Sequence, residues 1–389
     1  MKHLLSFTIL SLISLCAFSC NKEPNNQNDS TKVYYKWNSF VMGADLSYVN
    51  EIQDYNGIYR DSGIIADPFK IFKDHGANVI RVRLWNNPAW MAELTGGKIY
   101  SNLDDVEKTI RRAKEAGMAV SLDLHYSDTW ADPQKQGIPA VWQGLGLEAL
   151  SDSLYSFTFN TLQYLKSKNL TPEIVQVGNE INTGLLWPVG EVTNENWQNV
   201  AVLLKSGIKA VRDFSQHSDI KPLIMLHVAQ FQNVTWWADG IIDKGGVTDF
   251  DIIGISHYAK WSTVSSFLKI DQFIRTLRTK YSKQVMIAEV AYPWTNNNAD
   301  SYNNIISGAD TISGYPATPE GQYEYMKKLT QVVYSAGGSG IFYWEPAWIT
   351  SNLPDQWGKG SAWDNCTFFD FEGNALPVIN YMTVDYNSR

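Results

Sequence analysis

The sequence predicts a single (β/α)8 barrel, and three observations lead there. Short apolar runs alternate with amphipathic stretches eight times along the chain. The runs are almost continuously apolar, as strands buried on both faces must be. Nearly every run also ends in a polar or aromatic residue that no core needs, and in a barrel the strand ends of one face line the active site. In order, the runs are Phe40 to Ala44 ending in Asp45, Val79 to Val82 ending in Arg83, Ala119 to Leu124 ending in His125, and Ile174 to Gly178 ending in Asn179 and Glu180. There follow Leu223 to Leu226 ending in His227, Ile252 to Ser256 ending in His257 and Tyr258, Val285 to Ala288 ending in Glu289, and Gly340 to Tyr343 ending in Trp344 and Glu345.

The stretches between them read as helices. From Leu103 to Gly117, the residues Val106, Ile110, Ala113 and Ala116 recur near a 3.6-residue period and Gly117 ends the turn. Ser151 to Lys168, Trp197 to Phe214, Ser265 to Tyr281 and Pro319 to Ala336 are further helices. A doubly wound open sheet would require a glycine-rich phosphate turn after the first strand, which Gly43-Ala44-Asp45-Leu46-Ser47 does not supply. No composition break interrupts the chain after Thr31, so residues 32–389 read as one catalytic barrel.

The chain has 389 residues, of which 44% are hydrophobic and 19% charged, with a formal net charge of −8. Such an acidic chain lacks the basic stripe of a nucleic-acid binder. Its 15 Trp and 20 Tyr suit either an aromatic-rich core or a surface that stacks on rings. Lys2 and His3 precede the apolar run Leu4 to Phe18, which is too short to span a bilayer and suits a signal peptide over residues 1–19. Cys20 directly follows a small residue, and the Asn-rich stretch after it has no apolar anchor. That pattern resembles a bacterial lipoprotein signal, with Cys20 lipidated and residues 20–31 a tether; an ordinary secretory signal is the other reading. The lipoprotein form implies the outer membrane of a Gram-negative cell, and Lys22 and Glu23 after the cysteine point to its outer face. Cys16 is a poorer candidate because Leu15 precedes it, and Cys366 alone then remains in the folded part, without a disulfide partner.

Glu180 after strand four and Glu289 after strand seven each stand at a strand end. These strands face each other across a barrel mouth, and two carboxylates there can flank one glycosidic bond. Metal ligation and structural ion pairing are the other uses of a carboxylate in that position. Asn179 favours the first use, because an amide beside the acid can hydrogen-bond a sugar hydroxyl.

The segment Leu122 to Pro133 (Leu-Asp-Leu-His-Tyr-Ser-Asp-Thr-Trp-Ala-Asp-Pro), with Gln136, resembles the signature of glycoside hydrolase family 53, the endo-β-1,4-galactanases of clan A. Gly43 to Ser47, Arg81 to Pro88, and Gln176 to Trp187 with Pro188 and Gly190 are similar to that family as well. The resemblance implies a (β/α)8 barrel and retaining, endo-acting hydrolysis of β-1,4-galactan, with Glu180 as acid/base and Glu289 as nucleophile. It also implies sugar contacts from Arg83, His125, Asn179, Tyr258 and Trp344. Arg83 has a second reading as the ion pair that orients Glu289 and keeps it charged, and His125 a second reading as a satisfied barrel histidine. Asp45, Asp128 and His257 complete the polar part of the expected substrate site. Trp85, Trp130, Trp187, Tyr292 and Trp363, all placed in loops after strands, supply its stacking faces, as does Trp261. The chain departs from the family after strand six, where His257, Tyr258 and Ala259 stand in place of two tyrosines and a proline.

With Glu289 ionised nearby, Glu180 feels a like charge and its pKa should rise. After strand seven, Asn298, Asp300, Tyr302 through its carbonyl, and Asn304 space oxygen donors at every second residue, and Ser361 and Asp364 lie in the next strand's loop. These suit a structural Ca²⁺ such as some family members carry, although Asn298 stands where an Asp is expected; a solvated Asn-rich loop is the other reading. No organic cofactor is called for. The partners are β-1,4-galactan and its oligosaccharides, with a monomeric chain and a membrane contact through Cys20 alone. The rival functions are another clan A endo-glycosidase, a β-mannanase or β-glucanase, and a non-catalytic glycan-binding lipoprotein.

Overall fold

The computed structural model describes Met1 and residues 39–387. The signal-peptide, Cys20 and tether readings therefore lie outside the described residues. Eight parallel strands close into a barrel: β1 (Val41–Asp45), β2 (Val79–Leu84), β3 (Ala119–Leu124), β4 (Ile174–Val177), β5 (Leu223–Ala229), β6 (Ile252–Ser256), β7 (Gln284–Glu289) and β8 (Gly340–Tyr343). Each pairs with its sequence neighbours, and β8 returns to β1 through Val41 opposite Gly340. The helices on the outside are α1 (Pro68–Asp74), α2 (Leu103–Glu115), α3 (Leu147–Ser167), α4 (Gln198–Ser215), α5 (Phe231–Ala238), α6 (Phe267–Tyr281) and α7 (Pro319–Ser335). After β8 the outer layer is completed by a 3₁₀ helix, Pro377–Thr383, packed on α7. Among the described residues, no helix is long and apolar enough to cross a membrane.

Local chemistry explains the boundaries. Asp67 caps α1 through the Phe69 and Lys70 amides, Asn102 caps α2, and Thr318 caps α7 with Pro319 behind it. The helix α3 starts at Leu147 rather than at the expected Ser151, because Gly146 is the residue that leaves the helical conformation. The helices α1 and α5 are short and were not legible from period alone.

Inside the barrel, Val41, Val79, Ala119, Ile174, Met225, Ile252, Met286 and Phe342 plug the lower end. Gly43 is required there, since a Cβ would lie 2.1 Å from the Phe342 ring. A second, larger core joins the outer strand faces to the helices. Cys366 is buried within it and unpaired. Side chains on a strand alternate between these two environments, so Val79, Arg81 and Arg83 all point inward, one layer above another.

Candidate active site

Above the apolar plug the barrel becomes polar, and a cavity of about 560 Å³ opens at the C-terminal strand ends. Glu180 and Glu289 lie on its lining, at the ends of β4 and β7. Glu180 is half-buried on a sharp turn, with Gly178 at φ +84° and Glu180 itself at φ +47°. That left-handed conformation is unfavourable for a residue bearing a Cβ and persists because its surroundings hold it. Carboxylate oxygens of Glu180 and Glu289, with a ring nitrogen of His227, fall within 4.8 Å of one another. This trio has the composition of a metal site, but both nitrogens of His227 are engaged within the protein, Nδ1 with Asn179 Oδ1 at 2.8 Å and Nε2 with Ser256 Oγ at 2.8 Å.

Arg81 organises the floor. Its guanidinium meets Asp45 at 2.7 Å, Asp123 at 2.8 Å and Glu289 at 2.9 Å, and it donates to Asn179 Oδ1 at 2.9 Å. Glu289 also accepts from the Tyr258 hydroxyl at 2.8 Å. The expectation that Arg83 orients Glu289 is thus corrected: the arginine one layer deeper does so. Arg83 instead lies over the rings of Tyr48, Trp85 and Trp130, at 4.8, 4.7 and 4.1 Å, with Glu345 at 3.5 Å.

The two carboxyls differ in what surrounds them. Burial and then the charge of Glu289 push Glu180 up to about 8, against a weaker pull from Arg81 and from the Ser256 hydroxyl whenever that hydroxyl donates to the carboxylate. Burial pushes Glu289 up too, but Arg81 and the Tyr258 hydroxyl pull it back, so Glu289 is the member of the pair that carries the charge. The expected rise at Glu180 is present, and desolvation is its first cause. Beneath them, Asp123 is held down at about 2, Arg81 and His125 outweighing its burial.

Of the expected substrate residues, Asp45, Arg83, His125, Trp130, Asn179, Tyr258, Trp344 and Trp363 line the cavity, as do Trp261, Trp348 and Trp357. His125 spends Nε2 on Asp123 at 2.9 Å, while its Nδ1 accepts from Trp85 Nε1 at 3.3 Å, the pattern of a satisfied barrel histidine. The other five expected contacts do not line this cavity. Trp85 is buried beneath Trp130, edge to face at 5.3 Å. Asp128 ties two loops together, accepting from the Asn87 and Ala140 amides. Trp187 packs on its own loop, donating to Thr183, next to the cis Trp187–Pro188 bond. His257 points outward against Phe231, because its neighbour Ser256 takes the inward position. Tyr292 is covered by Tyr325, its ring stacked at 3.9 Å, and its hydroxyl donates to Tyr315. Arg81, Asp123, Gln176 and Ser256 are not evident as site residues in the sequence, and His227 only as a polar strand end; a charged residue inside the apolar run Val-Ile-Arg-Val-Arg-Leu is the signal for the first.

Beside the mouth, Asp300 and Asp364 converge on one donor, the Thr350 hydroxyl, at 2.6 and 2.8 Å. Asn304 bridges Asn298 and Asp364 through Nδ2, and its buried Oδ1 has no partner among the described residues. The Ser361 hydroxyl donates to the Trp348 carbonyl, and Tyr302 gives its amide to Asp300 and its hydroxyl to Asp355.

Residues 41–382 match the sequence profile of glycosyl hydrolase family 53. The chain belongs to that family. This family 53 chain is 44% identical over 354 residues to an arabinogalactan endo-β-1,4-galactanase of Cellvibrio japonicus, covering 90% of its own length and 92% of the relative's. The family 53 catalytic domain of Ignisphaera aggregans superposes with a TM-score of 0.80 at 35% identity, over 88% of this chain and 95% of that one. A fungal β-1,4-galactanase structure gives 0.74 at 31% identity, over 88% and 98%.

Proposed function

We propose that this family 53 hydrolase is an endo-acting β-1,4-galactanase that cuts (arabino)galactan with retention of anomeric configuration. The observation that carries the chemistry is the separation of the two carboxylates, whose oxygens lie within 4.8 Å of each other. Retaining enzymes hold their carboxyls about 5–5.5 Å apart, whereas inverting ones need about 6.5–9.5 Å to admit a water between them. Glu180, kept protonated by its surroundings, gives its proton to the glycosidic oxygen as that bond breaks, and Glu289, held charged by Arg81, bonds to the anomeric carbon. In the second step Glu180 takes a proton from the water that releases the sugar from Glu289. The ring contacts come from Trp130, Trp344 and Trp363, with Trp261 and Trp357 further along an open cavity that suits an internal cut. The galactan specificity is inferred from the Cellvibrio japonicus relative and the fungal galactanases. Digestion of pectic galactan should release oligomers before monomer, with the β-anomer formed first by NMR. Intact galactan beside cleaved mannan or glucan would leave the family standing and refute the substrate.

The mature protein, in this proposal, is a lipoprotein of a Gram-negative outer membrane, with residues 1–19 removed, Cys20 lipidated, residues 20–31 a tether and 32–389 the barrel. Cys20→Ala should then leave the membrane fraction. Ca²⁺ is proposed as a structural ion at Asn298, Asp300, Tyr302, Asn304, Ser361 and Asp364. In its support, two carboxylates share one hydroxyl proton at Thr350, and an amide oxygen of Asn304 is buried without a donor among the described residues. A chelator should lower the melting temperature, because an ion that binds only the folded state stabilises it by mass action; an unmoved melt with no metal by elemental analysis would refute this.

A further inference from the structure

Behind Glu180 lies a short polar chain, Ser256 and then His227, that neither attacks nor protonates anything. Its hydrogen positions follow from contacts whose direction is already fixed. Asn179 accepts from Arg81 through Oδ1 at 2.9 Å and donates to the Ala131 carbonyl through Nδ2 at 2.9 Å, so its amide cannot be turned round. Nδ1 of His227 stands 2.8 Å from that same Oδ1. Two bare lone pairs do not sit at that distance, so the ring proton is on Nδ1. The Gln176 amide is farther from Nδ1, at 3.1 Å, and has acceptors in Asp123 Oδ1 at 2.6 Å and the Gly178 carbonyl at 3.1 Å. The Glu180 main-chain N–H is farther still, at 3.4 Å.

Nε2 then has only a lone pair to offer, and it faces Ser256 Oγ at 2.8 Å. The Ser256 hydroxyl has a single hydrogen, and His227 claims it. Yet Ser256 Oγ is also 2.6 Å from Glu180 Oε1, and a contact that short needs a hydrogen of its own. The remaining source is the carboxyl group. We propose that His227 and Ser256 are positioning residues that keep Glu180 in its acid form: the imidazole, locked as its Nδ1–H tautomer, draws the serine hydrogen away, so that Glu180 must donate to Ser256.

Doubly protonated His227 would reverse the chain, but burial and the charge of Arg81 hold this ring well below its ordinary pKa, outweighing Asp123, with His125 acting in the same sense as Arg81. The charged and titratable groups around Glu180 are Glu289 on β7, Arg81 on β2, Asp132 after β3 and Tyr258 after β6. Glu289 is 3.4 Å from the Ser256 hydroxyl through Oε2, which already accepts from Tyr258 at 2.8 Å. Hydrogen bonding to the neutral form of an acid disfavours its ionisation. When Glu180 releases its proton to the leaving oxygen, the Ser256 hydroxyl turns to the new carboxylate and abandons Nε2. When Glu180 regains a proton from water, the hydroxyl turns back; the serine proton itself is never transferred.

This rests on Glu180 being the acid, which is judged separately: Glu180→Ala should lose the alkaline limb of the pH profile and keep most of its activity on an aryl galactoside with a good leaving group. The hydrogen positions are read by nitrogen NMR of the whole, histidine-labelled protein, which requires no variant to fold. A proton on Nδ1 with a bare Nε2 across the active pH range is expected; a proton on Nε2, or an imidazolium, overturns the proposal. His227→Asn keeps a donor toward Asn179 and removes the acceptor behind Ser256, freeing that hydroxyl for the Glu180 carboxylate. Its kcat/KM profile should lose activity on the alkaline side about one pH unit earlier, the equivalent of one hydrogen bond. A folded His227→Asn enzyme whose alkaline limb has not moved would equally overturn it.

Discussion

Arg81 and Arg83 leave the same face of β2 two residues apart and are equally buried, 1% and 2% exposed, yet they hold two different regions together. Around Arg81 the hydrogen-bond partners are anions or amide oxygens: three carboxylates, Asn179, and Gln176 at 3.2 Å. Around Arg83 the neighbours are mostly rings, and among the described residues its Nε and Nη1 have no hydrogen-bond partner and the nearby Glu345 Oε1 has none either. The first arrangement couples a fixed positive charge to a titrating pair. The second packs a flat cation against aromatic faces and braces the wall behind Trp130. One layer of barrel therefore separates an arginine that sets chemistry from one that sets shape.

The largest effect is expected at Arg81. Arg81→Met should lower kcat/KM about 10²- to 10³-fold, the usual loss when a preorganised electrostatic contact is removed. It should also move the acid limb of the profile to higher pH, because the charge pulling Glu289 down is gone while burial still pushes it up. In the unaltered enzyme the alkaline limb is expected where Glu180 titrates, about 8, since the acid works protonated and is lost as pH rises through that value. An Arg81→Met enzyme with an unshifted acid limb would break the comparison at its stronger end.

Arg83→Met comes next, and its effect should fall on stability. It removes the cation from three ring faces, a loss of about 2–3 kcal/mol if each contact contributes about 1 kcal/mol. A thermal melt reads this directly. The pH limbs should stay in place, because Arg83 contacts neither catalytic carboxylate.

The barrel was legible because its strands are uniformly apolar and end in residues a core would not spend; Glu180 and Glu289 were legible for the same reason. Arg81 escaped because it sits within such a run, two residues short of its end. In a strand buried on both faces nothing alternates, so the sequence pattern does not say which side chains look inward. The same parity separates Ser256, which faces the mouth, from His257, which does not. Tyr292 and Trp85 escaped differently: a loop position after a strand suggests exposure, and only packing against Tyr325 and Trp130 removes it.

The smallest effect is expected at Glu345, and it is the sharpest probe of the second region. Burial and then Asp45 push this carboxyl well above its ordinary range, against Arg83 and the Tyr48 amide, which pull it down. Its Oε1 approaches Arg83 only to 3.5 Å and its Oε2 accepts weakly from the Tyr48 N–H at 3.4 Å. With only these two long contacts drawing on its charge, an amide of the same shape can replace it. Glu345→Gln should therefore change stability by no more than about 1 kcal/mol, the worth of one neutral hydrogen bond, and leave kcat/KM near its starting value. If instead Glu345→Gln costs as much as Arg83→Met, the two residues form a fully ionised pair. Arg83 would then be held by charge as Arg81 is, and the rings around it would be lining rather than support.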